Sequence, residues 1–455
     1  MNGESKKVIK QLFVIGAPIV LQTILQTILP MIDQIMVGQL GDDAIALIGL
    51  SGNWYSVFFF ILLAITGATS VYVAQYWGSQ DLKMIPKILR IPVVAGIIFA
   101  ALLIFVAFVF PVSSIKVYTN DDELALVASE FQKIYAISAI PCLLTNLYAS
   151  FLRSTTRVKA PMVTGIIAVA TNTTLNYVLM FVVGMGVKGA VWATLISRVL
   201  ECLLLATYVH VFDKDVKINP VQIFSEKLEK SFMKKFYVTL VPLVLNNILF
   251  IGAAQVYNSF YGHMGTAELA AKGIADPVQS VGIGLFSGMA AATAVILGNR
   301  LGNGEVERAI ADSKIILRFV LLIAIITSGI IALLSGFYLS FYKITPEVGE
   351  ISQYFLYVMC VFLTVKIMNM VICQGVLQSG GDTKYILILN IIGQICVGIP
   401  LACLSFFVLH LPIYWMYALI TMEEVVRVML AFIKYKKNDW AKNLTENQSK
   451  EVSDS

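Results

Sequence analysis

Charge is what this 455-residue sequence lacks: only 13% of its residues are Asp, Glu, Lys or Arg, while 58% are hydrophobic. A soluble domain carries about 25% charged residues, so this chain cannot cover a water-facing surface of its size. That excludes a soluble enzyme, a disordered scaffold and a nucleic-acid binder, and the formal net charge of +5 is no sign of a nucleic-acid partner. Histidine is equally scarce, with His210, His263 and His410 far apart, which argues against a metal centre. The six cysteines, Cys142, Cys202, Cys360, Cys373, Cys396 and Cys403, lie in apolar segments without C-x-x-C spacing and read as buried free thiols. Gly380-Gly381-Asp382-Thr383-Lys384 lacks the spacing of a phosphate-binding loop and reads as a turn, so direct ATP drive is not expected. No A-x-A cleavage site follows the basic start, and the first apolar stretch is expected to be a retained span.

What the chain has in abundance is long apolar runs. A spanning helix needs about 20 such residues. Twelve candidates occur, near 12–37, 44–75, 90–111, 128–151, 160–183, 188–211, 236–262, 272–299, 312–340, 351–377, 384–407 and 412–434. The longest connector, 212–235, is polar and basic and divides the spans six and six. The expected organisation is therefore an N-terminal lobe over 1–211, a cytoplasmic linker over 212–235, a C-terminal lobe over 236–435 and a polar, mobile tail over 436–455. Lys6, Lys7, Lys10, Lys83, Lys87, Arg90, Arg153, Arg157, Lys159, Lys384 and the linker lysines fall on one side of this arrangement. Lys116, Lys133, Lys188, Lys272 and Lys343 fall on the other, among Asp42, Asp43 and Asp121 to Glu123. The excess of cations marks the cytoplasmic side, which puts both termini in the cytoplasm of a cell with this protein in its inner (plasma) membrane.

The two halves are copies. Laid on itself so that Pro18 meets Pro242, the sequence matches Val20-Leu21 to Val244-Leu245, Ile24-Leu25 to Ile248-Leu249, Gly38 and Gly41 to Gly262 and Gly265, Ala68-Thr69 to Ala292-Thr293 and Gly78 to Gly302. One residue further out of step, Leu152 to Arg157 falls on Leu377 to Asp382. Six spans per copy make this a parallel repeat, which implies a cavity between lobes and alternating access, the design of a secondary transporter.

At this point the chain resembles the multidrug and toxic compound extrusion (MATE) transporters of bacterial type. The carriers are Asp33 to Gly41, Ala74-Gln75-Tyr76-Trp77-Gly78, Leu152 to Arg157 with Ala160-Pro161, and Leu377 to Lys384. The resemblance implies an all-α polytopic fold of twelve transmembrane helices in two six-helix lobes, V-shaped around a central cavity. It also implies a monomeric antiporter without cofactor, which exchanges small organic molecules for H⁺ or Na⁺ in contact with membrane lipid.

Ionisable groups inside a span are costly, by about 2.5–3.5 kcal/mol on insertion scales, and mark function by default. Asp33, three residues after Pro30, reads as a proton or Na⁺ site, and the aspartate that matches it in MATE proteins has that role; the second copy has Tyr257 there. Asn172 and Asn176 share a helix face at i, i+4, and by resemblance they join the cation site; Asn176 cannot titrate. Asn246 and Asn247, with Gln22 at the repeat-equivalent position, are candidate cavity residues, and Asn247 stands where many MATE relatives have a coupling glutamate. Lys366, too deep to snorkel easily, and Asn369 three residues later complete the candidate substrate set. Arg198 with Glu201 and Glu423 with Arg427 read as structural ion pairs, leaving Glu424 unpaired as a candidate proton site of the C-terminal lobe. Asp276-Pro277 reads as a helix start. The alternative to multidrug antiport is a lipid-linked oligosaccharide or lipid flippase of related fold, for which Lys366 is a mild point.

Overall fold

A computed structural model describes residues 3–212, 229–342 and 344–445. The linker residues 213–228, Lys343, the side chain of Asp42 and the end of the tail, 446–455, lie outside the described residues. Among the described residues the structure is helical without strands, as a membrane requires of a chain that must satisfy its backbone hydrogen bonds internally. Twelve long helices follow one another: α1 Gly3–Gly38, α2 Asp42–Gly78, α3 Met84–Val109, α4 Asp122–Ser154, α5 Lys159–Val182, α6 Val187–Phe212, α7 Lys230–Gly262, α8 Thr266–Gly302, α9 Val306–Leu339, α10 Pro346–Leu377, α11 Thr383–Val408 and α12 Ile413–Lys436.

Eleven of these, α1 to α11, are long and apolar enough to cross a membrane. The twelfth expected span is present as a 24-residue helix, but Glu423, Glu424 and Arg427 at its middle keep it from being apolar by composition. Helix α4 is interrupted at Ser138, three residues before Pro141, whose ring cannot complete the helical ladder. Pro277, by contrast, does not begin a helix. It lies inside α8, which starts eleven residues earlier at Thr266, and Asp276 takes an ion pair from Lys272 at 2.6 Å instead of capping.

The chain divides into two compact units, one of Leu21–Leu240 and one of Met1–Val20 with Val241–Ser455. Both divisions fall inside helices, α1 and α7. In the first unit Tyr72 of α2 stacks on Phe236 of α7 at 5.3 Å and meets Thr239 through its hydroxyl at 3.0 Å. In the second unit Phe13 of α1 packs edge-on against Phe319 of α9.

The repeat persists in the backbone. Gly41 and Gly265, matched in sequence, both have positive φ (107° and 127°) just before α2 and α8. Gln80 (61°) corresponds to Gly304 (77°), and Thr156 (65°) to Gly381 (77°), so the turns are the same even where the first copy has lost its glycine. The two units differ in their helix interiors. Both units have widened helical turns, over Val178–Val182 and Tyr208–Phe212 in the first and more extensively over Val371–Leu377, Ile391–Gly398 and Leu404–Val408 in the second. Such widened turns are uncommon and collect at functional sites.

The described part of the tail, up to residue 445, packs against the protein. Trp440 is completely buried, stacked on Tyr435, and its carbonyl lies against Gly380 of the α10–α11 turn. Lys434 of α12 pairs with Asp382 of the same turn at 3.2 Å. All six cysteines are free, but on α11 Cys396 is exposed and Cys403 only half-buried, so four and not six are buried.

Candidate functional site

Polar side chains inside the helices collect in one cluster per unit. In the first unit, Asn176 of α5 donates to Asp33 of α1 at 2.6 Å and to its own-helix neighbour Asn172 at 3.2 Å. Asn172 in turn donates to Ser197 of α6 at 3.3 Å. The i, i+4 spacing thus does what the helix period requires, setting both amides on one face, and α1 brings Asp33 to that face. Asn172 and Asn176 are almost fully buried. The carbonyl oxygen of Asn176, beside the carboxylate, has no hydrogen-bond donor. A buried acceptor without a donor costs about 1–3 kcal/mol, which a proton or a small cation between the carbonyl and the carboxylate would recover.

Among the described residues no cation makes an ion pair with Asp33. Arg198, one residue after Ser197, lays its guanidinium over the ring of Tyr55 at 5.2 Å and donates to Cys142 Sγ. It makes no ion pair with Glu201, so the expected structural pair does not form. The reason is rotational: Arg198 turns towards Tyr55 and Cys142 on α2 and α4. Gln22 is buried and accepts from Arg153 of α4 at 3.1 Å. It is a partner of a buried arginine and not a member of the Asp33 chain.

The second unit holds a larger network. Tyr257 of α7 donates to Glu423 Oε2 of α12 at 2.5 Å. Arg427, one turn along α12, reaches Glu423 at 3.2 Å and also hydrogen-bonds Glu424 and Asn390 of α11. Asn390 continues the chain to Asn246 of α7. Asn369 of α10 donates to Glu424 at 2.6 Å and accepts from Cys373. Lys366 donates to Tyr417 Oη of α12 at 2.9 Å and to Gln279 Oε1 of α8 at 3.3 Å, with its ammonium 4.8 Å above the Tyr417 ring. Asn247 is half-buried with a partner of its own.

Helix α11 makes room for this network with glycine. A Cβ at Gly393 would sit 2.6 Å from the Arg427 side chain, and one at Gly398 would strike Glu423 and the Tyr257 hydroxyl. The widened turns of α10 and α11 bracket the same residues, between Asn369 and Gly398.

Sequence reasoning therefore found Asp33, Asn172 and Asn176 as a group, and found Asn246, Tyr257, Lys366 and Asn369 without their partners. It treated Glu423 and Arg427 as a simple lock, left Glu424 alone, and missed Gln279, Asn390 and Tyr417. The available signal was the adjacent Glu423-Glu424 pair in an otherwise apolar helix, an expense that a lock with one arginine does not account for.

Comparison with known proteins agrees with this architecture. The MatE family model matches residues 18–178 and 242–404, one copy in each half. The chain is 24% identical to the multidrug and toxin extrusion protein 1 of Xenopus tropicalis, over 97% of this chain and 76% of that protein. It is 24% identical to a probable multidrug resistance protein NorM of Agrobacterium fabrum, over 86% of each. A crystal structure of a MATE protein in complex with MaD3S superposes with a TM-score of 0.86 at 20% identity, covering 94% of this chain and 95% of that one. With the family model matched twice, in register with the internal repeat, the chain belongs to the MatE family, a family of multi-pass membrane transporters and not of enzymes.

Proposed function

We propose that this protein is a secondary active multidrug efflux antiporter, which exports amphipathic or cationic organic compounds in exchange for inward H⁺ or Na⁺. The observation that carries the reading is the Asp33–Asn176 contact: a carboxylate without an ion-pair partner beside a buried amide carbonyl without a donor. An ion entering this group neutralises Asp33 and fills both acceptors. Asn172 and Ser197 hold Asn176 in place while it does so. Neutralising the carboxylate changes the cost of burying this part of α1, and the helix then favours a different packing, which is how ion entry drives alternating access. The names of the relatives support small organic substrates. The distribution of Lys and Arg supports an inner-membrane location with both termini in the cytoplasm, and the working unit is the monomer.

The test is substrate efflux in everted vesicles with a pH gradient or a Na⁺ gradient imposed separately. One gradient is expected to drive efflux, and Asp33→Asn to reduce the gradient-driven rate at least tenfold. Efflux indifferent to both gradients, or unchanged in Asp33→Asn, overturns the reading.

A further inference from the structure

The coupling reading uses Asp33 and leaves unexplained why the second unit buries two adjacent carboxylates. Glu423 and Glu424 are adjacent on α12, and both contact Arg427. A single guanidinium between two carboxylates leaves one negative charge over. Lys366 supplies the fourth charge. It makes no direct ion pair among the described residues, but its charge interacts with those of Glu424 and Glu423, and Tyr417 and Gln279 hold its ammonium in that position. The other titratable groups around the cluster are Tyr257 and Tyr261 from α7, Cys373 from α10 and Tyr417 from α12, phenols and a thiol that are ordinarily neutral at pH 7, and beyond Tyr261 the Lys272–Asp276 pair of α8, whose charges cancel. Two acids and two bases balance without any ion from solution.

Each carboxylate also accepts from a neutral donor, Glu423 from Tyr257 at 2.5 Å and Glu424 from Asn369 at 2.6 Å. Among the described residues of the first unit Arg198 is the one cation whose charge acts on Asp33, it also acts on Glu201 and it pairs directly with neither, so two carboxylates share one cation and one negative charge is left over, beside an Asn176 carbonyl that no donor reaches. We propose that Arg427 and Lys366 are tethered counter-cations. They take permanently, in the second unit, the electrostatic place that an exchangeable ion takes at Asp33. The second unit therefore binds no coupling ion, and each turnover moves one ion through the first unit. This inference rests on the reading of Asp33 as the coupling site.

The experiment counts ions bound by the purified full-length protein in lipid nanodiscs, with radioactive Na⁺ for sodium and a pH indicator for protons. The wild-type protein is expected to bind one ion, Asp33→Asn none, and Lys366→Met one more than wild type, because removing the ammonium uncovers Glu424. Two ions in the wild type, an ion retained in Asp33→Asn and lost on adding Glu424→Gln, or no gained ion in a folded Lys366→Met, each overturn the proposal. A wild type that binds neither ion refutes the coupling reading instead, and the gain in Lys366→Met then decides the counter-cation assignment alone. If Lys366→Met does not fold, the wild type and Asp33→Asn still decide, since neither alters the second unit.

Discussion

The two units descend from one repeat and solve the problem of buried charge in opposite ways. In the first, Asp33 meets amides and has no ion pair among the described residues, Arg198 acts on both it and Glu201, and the Asn176 carbonyl stays without a donor. In the second, two carboxylates meet an arginine, a lysine, a tyrosine and an asparagine, and helix α11 gives up side chains at Gly393 and Gly398 to accommodate them. The repeat-equivalent positions make the divergence visible, since Asp33 of α1 corresponds to Tyr257 of α7, which donates to an acid on α12. An open group can respond to ions in solution, whereas a closed one resists change.

That contrast can be broken most strongly at Arg427. Arg427→Met leaves two buried carboxylates without their shared cation and should cost about 3–5 kcal/mol, read as a large fall in thermal stability of the detergent-solubilised protein. Asp33→Asn should leave stability nearly unchanged or raised while gradient-driven efflux is lost. If both substitutions were equally destabilising, the distinction between an open and a closed cluster would fail. Asn176→Leu should fall between them, at about 1–3 kcal/mol, because Asp33 and Asn172 both lose a donor. Gly398→Ala should cost a comparable ~1–3 kcal/mol by overpacking against Glu423 and Tyr257. The smallest effect concerns the turns. Thr156→Gly, which restores the residue type of the second copy at a φ of 65°, should stabilise by roughly 1 kcal/mol or less, measured as a small rise in melting temperature.

Much of the fold was legible because it depends on one-dimensional quantities. Apolar run lengths gave the helices, and the offset match of Pro18 with Pro242 and Gly41 with Gly265 gave a repeat that the backbone reproduces down to its positive-φ positions. The first-unit cluster was half legible, since i, i+4 spacing joins Asn172 to Asn176, while Asp33 was attached through resemblance. The second-unit cluster was barely legible. Nothing about Tyr257, Gln279, Asn390 and Tyr417, on four different helices, announces that they converge on three charged residues of α12 and α10. The tail misled for a related reason: its polarity pointed to mobility, and one tryptophan against the α10–α11 turn outweighed it.

The sequence by itself determined that this chain lives in a membrane, that its helices come in two matched sets, and which residues carry charge where charge is expensive. Composition and period suffice for that, because each span must satisfy its own backbone and face lipid. Only the tertiary structure decided which of those charges stand alone and which are neutralised. A polar group's partner depends on how neighbouring helices are rotated and how closely they approach, and that is set by packing across helices distant in sequence. The scarcity of charge marked Asp33, Lys366, Glu424 and the pairs Arg198–Glu201 and Glu423–Arg427 as a short list, and packing left the first-unit members without ion pairs among the described residues while it joined Glu423, Glu424 and Arg427 in one cluster.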